Sequence, residues 1–202
     1  MCQITPSELA VLINYDTTHE IQFVSVTGGR LVKGRNLRFQ HRCNGIAHNL
    51  QNLYLTSNTA LYVYSMNALH GEFLNKLYED TSGDYTVHMC AISPKGDKIF
   101  VSNLLDHKVL TLSRAGTMLH TFADVYLIGP CNLHVTELGH VLVCGSRSNT
   151  ILQLDREGKK KLATLDTRSD GLEGPCSVFY NMSTASFIVG LSFSKIHVFK
   201  VK

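Results

Sequence analysis

One motif returns along this chain at intervals of 46, 42 and 46 residues, measured between Leu55, Val101, Val143 and Val189. Asn52-Leu53-Tyr54-Leu55-Thr56-Ser57-Asn58 matches Lys98-Ile99-Phe100-Val101-Ser102-Asn103. The same pattern recurs in His140-Val141-Leu142-Val143-Cys144-Gly145 and Ser186-Phe187-Ile188-Val189-Gly190, with a fainter copy at residues 9–14. A period in this range marks a repeat architecture. Each unit is a piece of supersecondary structure that buries its faces only by stacking on its neighbours.

The third unit shows what is repeated. Residues 87–93 read as a strand, and Pro94-Lys95-Gly96-Asp97 as a turn. Residues 98–103 read as a second strand, and Asp106-His107-Lys108 bridges into a third at 109–112. Arg114-Ala115-Gly116-Thr117 then turns into a fourth at 118–122. Short β-branched or aromatic-rich strands punctuated by turn residues predict an all-β chain. No stretch sustains a helical period over about twelve residues. Four strands per unit of about 45 residues is the pattern of a β-propeller blade. A β-sandwich is the rival, but it gives no reason for the period.

The expected chain is therefore one propeller region with blades at about 1–41, 42–84, 85–126, 127–170 and 171–202. Six blades of this size would need roughly 270 residues, so five blades in an incomplete six-bladed ring are expected. The last unit stops after a third strand at Val201, and only the short Cys2–Thr5 segment is available to complete it. Open terminal edges of this kind predict self-association.

Composition narrows the class further. A chain that is 44% hydrophobic and 17% charged is globular. Its longest apolar runs fall far below the roughly 20 residues of a membrane helix, so no membrane partner is expected. Met1-Cys2-Gln3-Ile4-Thr5-Pro6 has neither a basic region nor an apolar stretch, which argues against a signal peptide and for the cytoplasm. The cysteines at 2, 43, 90, 131, 144 and 176 form no C-x-x-C pair. They read as reduced thiols, mostly buried in strands.

At Cys90-Ala91-Ile92-Ser93-Pro94-Lys95-Gly96-Asp97-Lys98-Ile99-Phe100-Val101-Ser102-Asn103 the chain resembles the first half of an NHL-type propeller blade. Asp106-His107-Lys108-Val109-Leu110 is similar to the bridge of such blades, with Asp and Lys in place of Asn and Arg. Gly174-Pro175-Cys176-Ser177-Val178, Ile188-Val189-Gly190-Leu191 and Lys195-Ile196-His197-Val198-Phe199-Lys200-Val201 are similar to the last blade of tripartite-motif (TRIM) proteins with NHL-like propellers. The bridge is degenerate at Ser146-Arg147-Ser148-Asn149 and Ser192-Phe193-Ser194-Lys195. The resemblance implies the substrate-binding end of a RING-type ubiquitin ligase, acting in protein ubiquitination. The RING, B-box and coiled coil of such a parent have no counterpart here, so zinc is expected only in those absent domains and this chain is expected to carry no cofactor.

No catalytic constellation is expected. A propeller hydrolase of the calcium-dependent lactonase type needs six to eight oxygen ligands at its metal. The inner strands carry no Asp or Glu before Glu137, itself in a turn. The ten histidines form no H-x-x-x-H or H-E-x-x-H, and no G-x-S-x-G elbow occurs, so neither a metal site nor a catalytic triad is expected. Cys144, in Val143-Cys144-Gly145-Ser146, reads as a buried strand thiol rather than a nucleophile.

Charge says more. From Ile21 to Gly71 there is no Asp or Glu, while Arg30, Lys33, Arg35, Arg38 and Arg42 crowd into thirteen residues. Such a cluster suits an anionic partner, or an exposed outer strand whose cations discourage edge pairing. Leu31, Val32, Leu37 and Phe39 interleave as in an ordinary strand and favour the second reading. Lys159-Lys160-Lys161 reads as a solvated hairpin turn beside Glu157. In a propeller, the loops joining second to third strands and blade to blade form one face. That places His41, Arg42, Tyr85, Lys108, Tyr126, Arg147 and Lys195 at a candidate partner-binding site. Arg and Tyr together suit a protein substrate or adaptor; basic groups beside aromatics equally suit single-stranded RNA.

Overall fold

A computed structural model describes residues 1–66, 72–192 and 194–200. His70, Gly71, Phe193 and Val201, each used in the sequence reading, lie outside the described residues. The chain forms two compact units, Met1–Cys90 and Ala91–Lys202.

Among the described residues every regular element but one is a strand. The first sheet is β1 (Cys2–Thr5), β2 (Glu8–Tyr15), β3 (Thr18–Thr27) and β4 (Arg30–Phe39), in that spatial order. The second is β5 (Gly45–Asn49), β6 (Asn52–Thr56), β7 (Ala60–Ser65) and β8 (Glu72–Glu79). The third is β9 (Met89–Ile92), β10 (Lys98–Asn103), β11 (Lys108–Ser113) and β12 (Met118–Ala123). The fourth is β13 (Pro130–Val135), β14 (Val141–Gly145), β15 (Thr150–Leu154) and β16 (Lys161–Asp166). A 3-10 turn at Arg168–Asp170 precedes the fifth, β17 (Pro175–Asn181), β18 (Ser186–Leu191) and β19 (Lys195–Lys200). These are antiparallel meanders, and the fold is a β-propeller of five blades. Cys2–Thr5 pairs with β2 in its own blade; it adds nothing to the last sheet, which has three strands among the described residues.

The repeat motif is the second strand of each blade, and its burial explains its composition. β6, β10, β14 and β18 are buried along most of their length, because a central strand is covered on both faces and on both edges. Such a strand reads as a nearly continuous apolar run, not an alternation. Between blades one and two, Ala10, Ile21, Phe23, Leu37, Leu53 and Leu55 form one core. Between blades three and four, Phe100, Val109, Leu127, Val143 and Leu152 form another. Leu142, Ile151, Val178 and Val189 form a third, between blades four and five. Phe100, Leu53, Leu55, Leu142 and Ile151 are fully removed from solvent.

Outer strands behave differently. β4 lies at the edge of its sheet and is exposed except at Leu37 and Phe39. Arg38 reaches Glu20 at 3.5 Å across the β3–β4 pair, and the Arg35 guanidinium lies 4.5 Å from the Phe23 ring centroid. The Arg30, Lys33, Arg35 and Arg38 cluster is thus the solvated rim of an edge strand, partly engaged with its own sheet.

Two readings need correction. Lys161 is not a turn residue: it opens β16 and pairs with Asp124 at 2.9 Å, while Lys159 and Lys160 stay in the turn. The thiols are also less uniform than expected. Cys43 is buried but sits in the link between β4 and β5, and Cys176 is exposed on β17. Burial pushes the Cys43 thiol up to about 12 and that of Cys131 to about 11.

One half-buried histidine makes stability depend on pH. His134, on β13, lies 4.9 Å from the Phe179 ring on β17. Burial lowers its pKa from 6.5 to about 4. The unfolded chain therefore binds this proton first as acid is added, and stability falls as pH drops from about 6.5 toward about 4. Chemical denaturation at stepped pH values checks this: His134→Phe should flatten that part of the profile.

Candidate functional site

Short turns between second and third strands, and the links between blades, are held by side-chain amides that follow the repeat motif. Asn14, near the end of β2, donates to the Cys43 carbonyl at 2.6 Å and accepts from the Cys43 amide at 3.2 Å. Asn58 accepts from the Tyr85 amide at 2.7 Å and donates to Asp84 at 2.7 Å. Asn149 accepts from the Gly174 amide at 2.7 Å. Each amide ties the turn of one blade to the link that leaves it. His107 and Asn149 occupy the turn position with positive φ, 59° and 53°, where a short polar side chain bonds locally to offset the steric cost.

In the first unit this framework separates two residues expected together. Arg42 and Tyr85 converge on His88: the Tyr85 and His88 rings are 5.6 Å apart, and burial followed by the Arg42 charge lowers the His88 pKa. His88 Nδ1 is buried without a hydrogen-bond partner. His41 turns away instead. It stacks on Tyr62 at 4.5 Å, and its Nε2 lies 2.9 Å from the Tyr64 hydroxyl. Phe39 and Phe73 pack on the Tyr64 ring at 4.9 and 5.5 Å. Burial is the main cause that pushes the Tyr64 hydroxyl up to about 12, so this cluster is a hydrogen-bonded aromatic knot.

In the second unit the expected residues share one end of the blades. The Gly129 amide donates to His107 Nδ1 at 3.2 Å, joining the β10–β11 turn to the next link. The Arg147 amide donates to the Ile128 carbonyl at 3.1 Å. The Arg147 stem lies over Gly129 so closely that a Cβ there would stand 3.0 Å from its Cγ. Ser192, in the turn before Lys195, donates to the Gly174 carbonyl, the residue whose amide Asn149 holds. Lys108, Tyr126, Arg147 and Lys195 thus belong to turns and links joined by one chain of hydrogen bonds.

Chemically this end is mixed. Val125 and Tyr126 are 83% and 56% exposed, Ile128 two residues on is exposed, and so is Leu105 in the β10–β11 turn. Lys108 pairs with Asp106 at 3.6 Å. Lys161, which sequence reasoning left in solvent, lies 4.7 Å above the Tyr126 ring while bonded to Asp124. Burial works against the Asp124 charge, but the Lys161 ammonium and the Tyr126 amide hold its pKa below the usual value. Elsewhere in the second unit an open cleft of about 140 Å³ is lined by Leu138, His140, Gln153 and Tyr180 among others. Among the described residues no group of three or more His, Cys, Asp or Glu side chains is placed to hold a metal, and no helix is long and apolar enough to cross a membrane.

No family model matches this sequence, and no curated protein resembles it at the sequence level. Solved structures do resemble it. A nidogen/laminin complex contains a chain with TM-score 0.74 and 15% identity, over 96% of this chain and 78% of that one. A chain of a mitotic checkpoint complex gives 0.71 and 13%, over 97% of this chain and 58% of that one. Virginiamycin B lyase from Staphylococcus aureus gives 0.56 and 13%, over 79% and 55%. At these identities the likeness establishes the fold alone, and the class of protein it defines is the β-propeller.

Proposed function

We propose that this chain is a non-catalytic recognition module that binds a protein partner through the Lys108, Tyr126, Arg147 and Lys195 end of the second unit. The observation that carries this reading is the company of the cations there. Lys108 and Lys161 are already paired with Asp106 and Asp124, while Val125 and Tyr126 stand exposed beside the Arg147 turn. Paired cations offer little to a phosphate backbone. Exposed aromatic and aliphatic groups flanked by an arginine are the composition of a protein hot spot. Two of the similar structures are themselves protein complexes. The NHL-like and TRIM-like resemblance extends the proposal to a substrate protein presented for ubiquitin transfer in the cytoplasm.

The test compares the chain with a Tyr126→Ala/Arg147→Ala variant in proximity labelling and then in binding kinetics with the partners recovered. The partners lost should be proteins, and their dissociation should accelerate by an amount worth about 1–4 kcal/mol, with thermal melting unchanged. Binding to a single-stranded RNA should be absent. RNA binding that weakens steeply with salt, by about 0.7 in log–log slope per phosphate contact, would replace the protein reading. If the partner's ubiquitin conjugation does not change with the variant, the ligase context fails while protein recognition stands.

A further inference from the structure

Gly-Pro-Cys occurs twice in the chain, at 129–131 and 174–176, so the same repeat position holds a cysteine in the fourth and the fifth blade. Both cysteines sit at the same irregularity. In β13, Pro130 pairs with Gly145 and Asn132 with Cys144, which leaves Cys131 without a partner residue on β14. In β17, Pro175 pairs with Leu191 and Ser177 with Gly190, which leaves Cys176 without one on β18. A bulge of this kind re-aims the side chain of its extra residue and recurs beside functional sites.

The two bulges meet at the seam between these blades. Cys131 Sγ lies 3.0 Å from the Pro175 carbonyl oxygen, whose carbon is bonded to the Cys176 nitrogen. One residue on, Asn132 Oδ1 accepts from the Val178 amide at 3.3 Å. Successive β13 side chains therefore bracket Cys176 and Ser177. Burial is the main cause that pushes the Cys131 thiol up to about 11, and Cys176 adds to it. Cys176 is exposed, so the pair is open to solvent on one side. Cys131 Sγ also lies 3.6 Å from the Cys144 carbonyl oxygen, and Cys176 Sγ 3.2 Å from that of Gly190. Three carbonyl oxygens thus stand around the two sulfurs, where their dipoles oppose a bare thiolate and favour a cation. Coordination number decides which cation. Zinc takes four ligands, and among the described residues no set of three or more His, Cys, Asp or Glu side chains gathers to supply them. Calcium and magnesium seek several oxygen ligands. Cu(I) is soft, is selected by thiolates, and is satisfied by two of them.

We propose that Cys131 and Cys176 form a two-thiolate site for Cu(I) at the seam of the fourth and fifth blades. Two S–H bonds break and two Cu–S bonds form; both protons leave to solvent and no electron moves. The inference does not depend on protein recognition at the loop end of the second unit. Its test uses the whole chain, reduced and kept free of oxygen, with Cu(I) presented as its bathocuproine disulfonate complex. The chain should withdraw Cu(I) from the chelator, with X-ray absorption showing two sulfur neighbours and about two protons released per ion at neutral pH. Cys131→Ser and Cys176→Ser should each lower the affinity by about a hundredfold or more, since losing a group that only supports a metal ligand already costs about 10–100-fold. Cys176→Ser alters an exposed side chain and should leave the thermal midpoint of the metal-free chain unchanged, which separates binding from folding. Cys144→Ala should keep the site. Without metal, dibromobimane, which fluoresces only when it bridges two thiols, should join Cys131 to Cys176. Zn(II) should bind the parent no better than it binds Cys176→Ser. Withdrawal of Cu(I) that is unchanged in Cys131→Ser/Cys176→Ser would assign the ion to other cysteines and overturn the proposal. So would three or more sulfur neighbours, no bimane bridge between the two residues, or Zn(II) bound more tightly than Cu(I).

Discussion

Phe100→Ala should destabilise the second unit by about 3–5 kcal/mol, read as a lowered midpoint in urea with an unchanged slope. Phe100 is fully buried on β10 and belongs to the core with Val109, Leu127, Val143 and Leu152. Truncation removes the transfer energy of a ring and leaves a cavity. The surrounding strands close that cavity poorly, because each is fixed by pairing to its neighbours. At the surface the same change does little: Phe73, 54% exposed on the outer strand β8, should cost less than about 1 kcal/mol on truncation. A midpoint for Phe100→Ala within error of the parent would mean that the blades do not share the core described here.

What could be read from sequence follows from which interactions are local. β10 begins and ends where the sequence placed it, because Pro94-Lys95-Gly96-Asp97 closes a turn on one side and Asn103 and Asp106 fix one on the other. Gly96 has φ 69°, a conformation that a glycine in a turn declares by itself. The first blade was fainter because β3 and β4 run ten residues each, longer than the repeat led one to expect. Positions that depend on distant partners were not legible. His41 looked like a companion of Arg42, but two tyrosines at 62 and 64 share one face of β7, and their register draws the imidazole onto them. Lys161 looked solvated because its partners, Asp124 and Tyr126, come from the link before the preceding strands. His88 carried no signal at all: only the fold brings Arg42 and Tyr85 to it.

Gly158→Val should be the most damaging single change at the β15–β16 turn, and the reason is the same phenylalanine. Gly158 has φ 65°, which a β-branched residue adopts only with strain of about 1–3 kcal/mol. Its amide closes the turn on the Asp155 carbonyl at 3.0 Å. The turn reaches the neighbouring blade, where the Thr111 hydroxyl donates to the Glu157 carbonyl at 3.2 Å. A Cβ on Gly158 would stand 2.5 Å from that hydroxyl oxygen and 2.9 Å from the Phe100 ring. Overpacking of this kind costs about 1–3 kcal/mol more. The two terms separate in a double-mutant cycle. Removing the Phe100 ring relieves the valine's contact with the ring but leaves its backbone strain and its approach to the Thr111 hydroxyl, so the double variant should lose less than the two single losses combined, by about 0.5–3 kcal/mol. Gly158→Ala in the Phe100→Ala background should recover more, since it lacks the branched carbon. Strict additivity in urea unfolding would show that the turn does not press on the ring, and the contact between these two blades would then have to be redrawn.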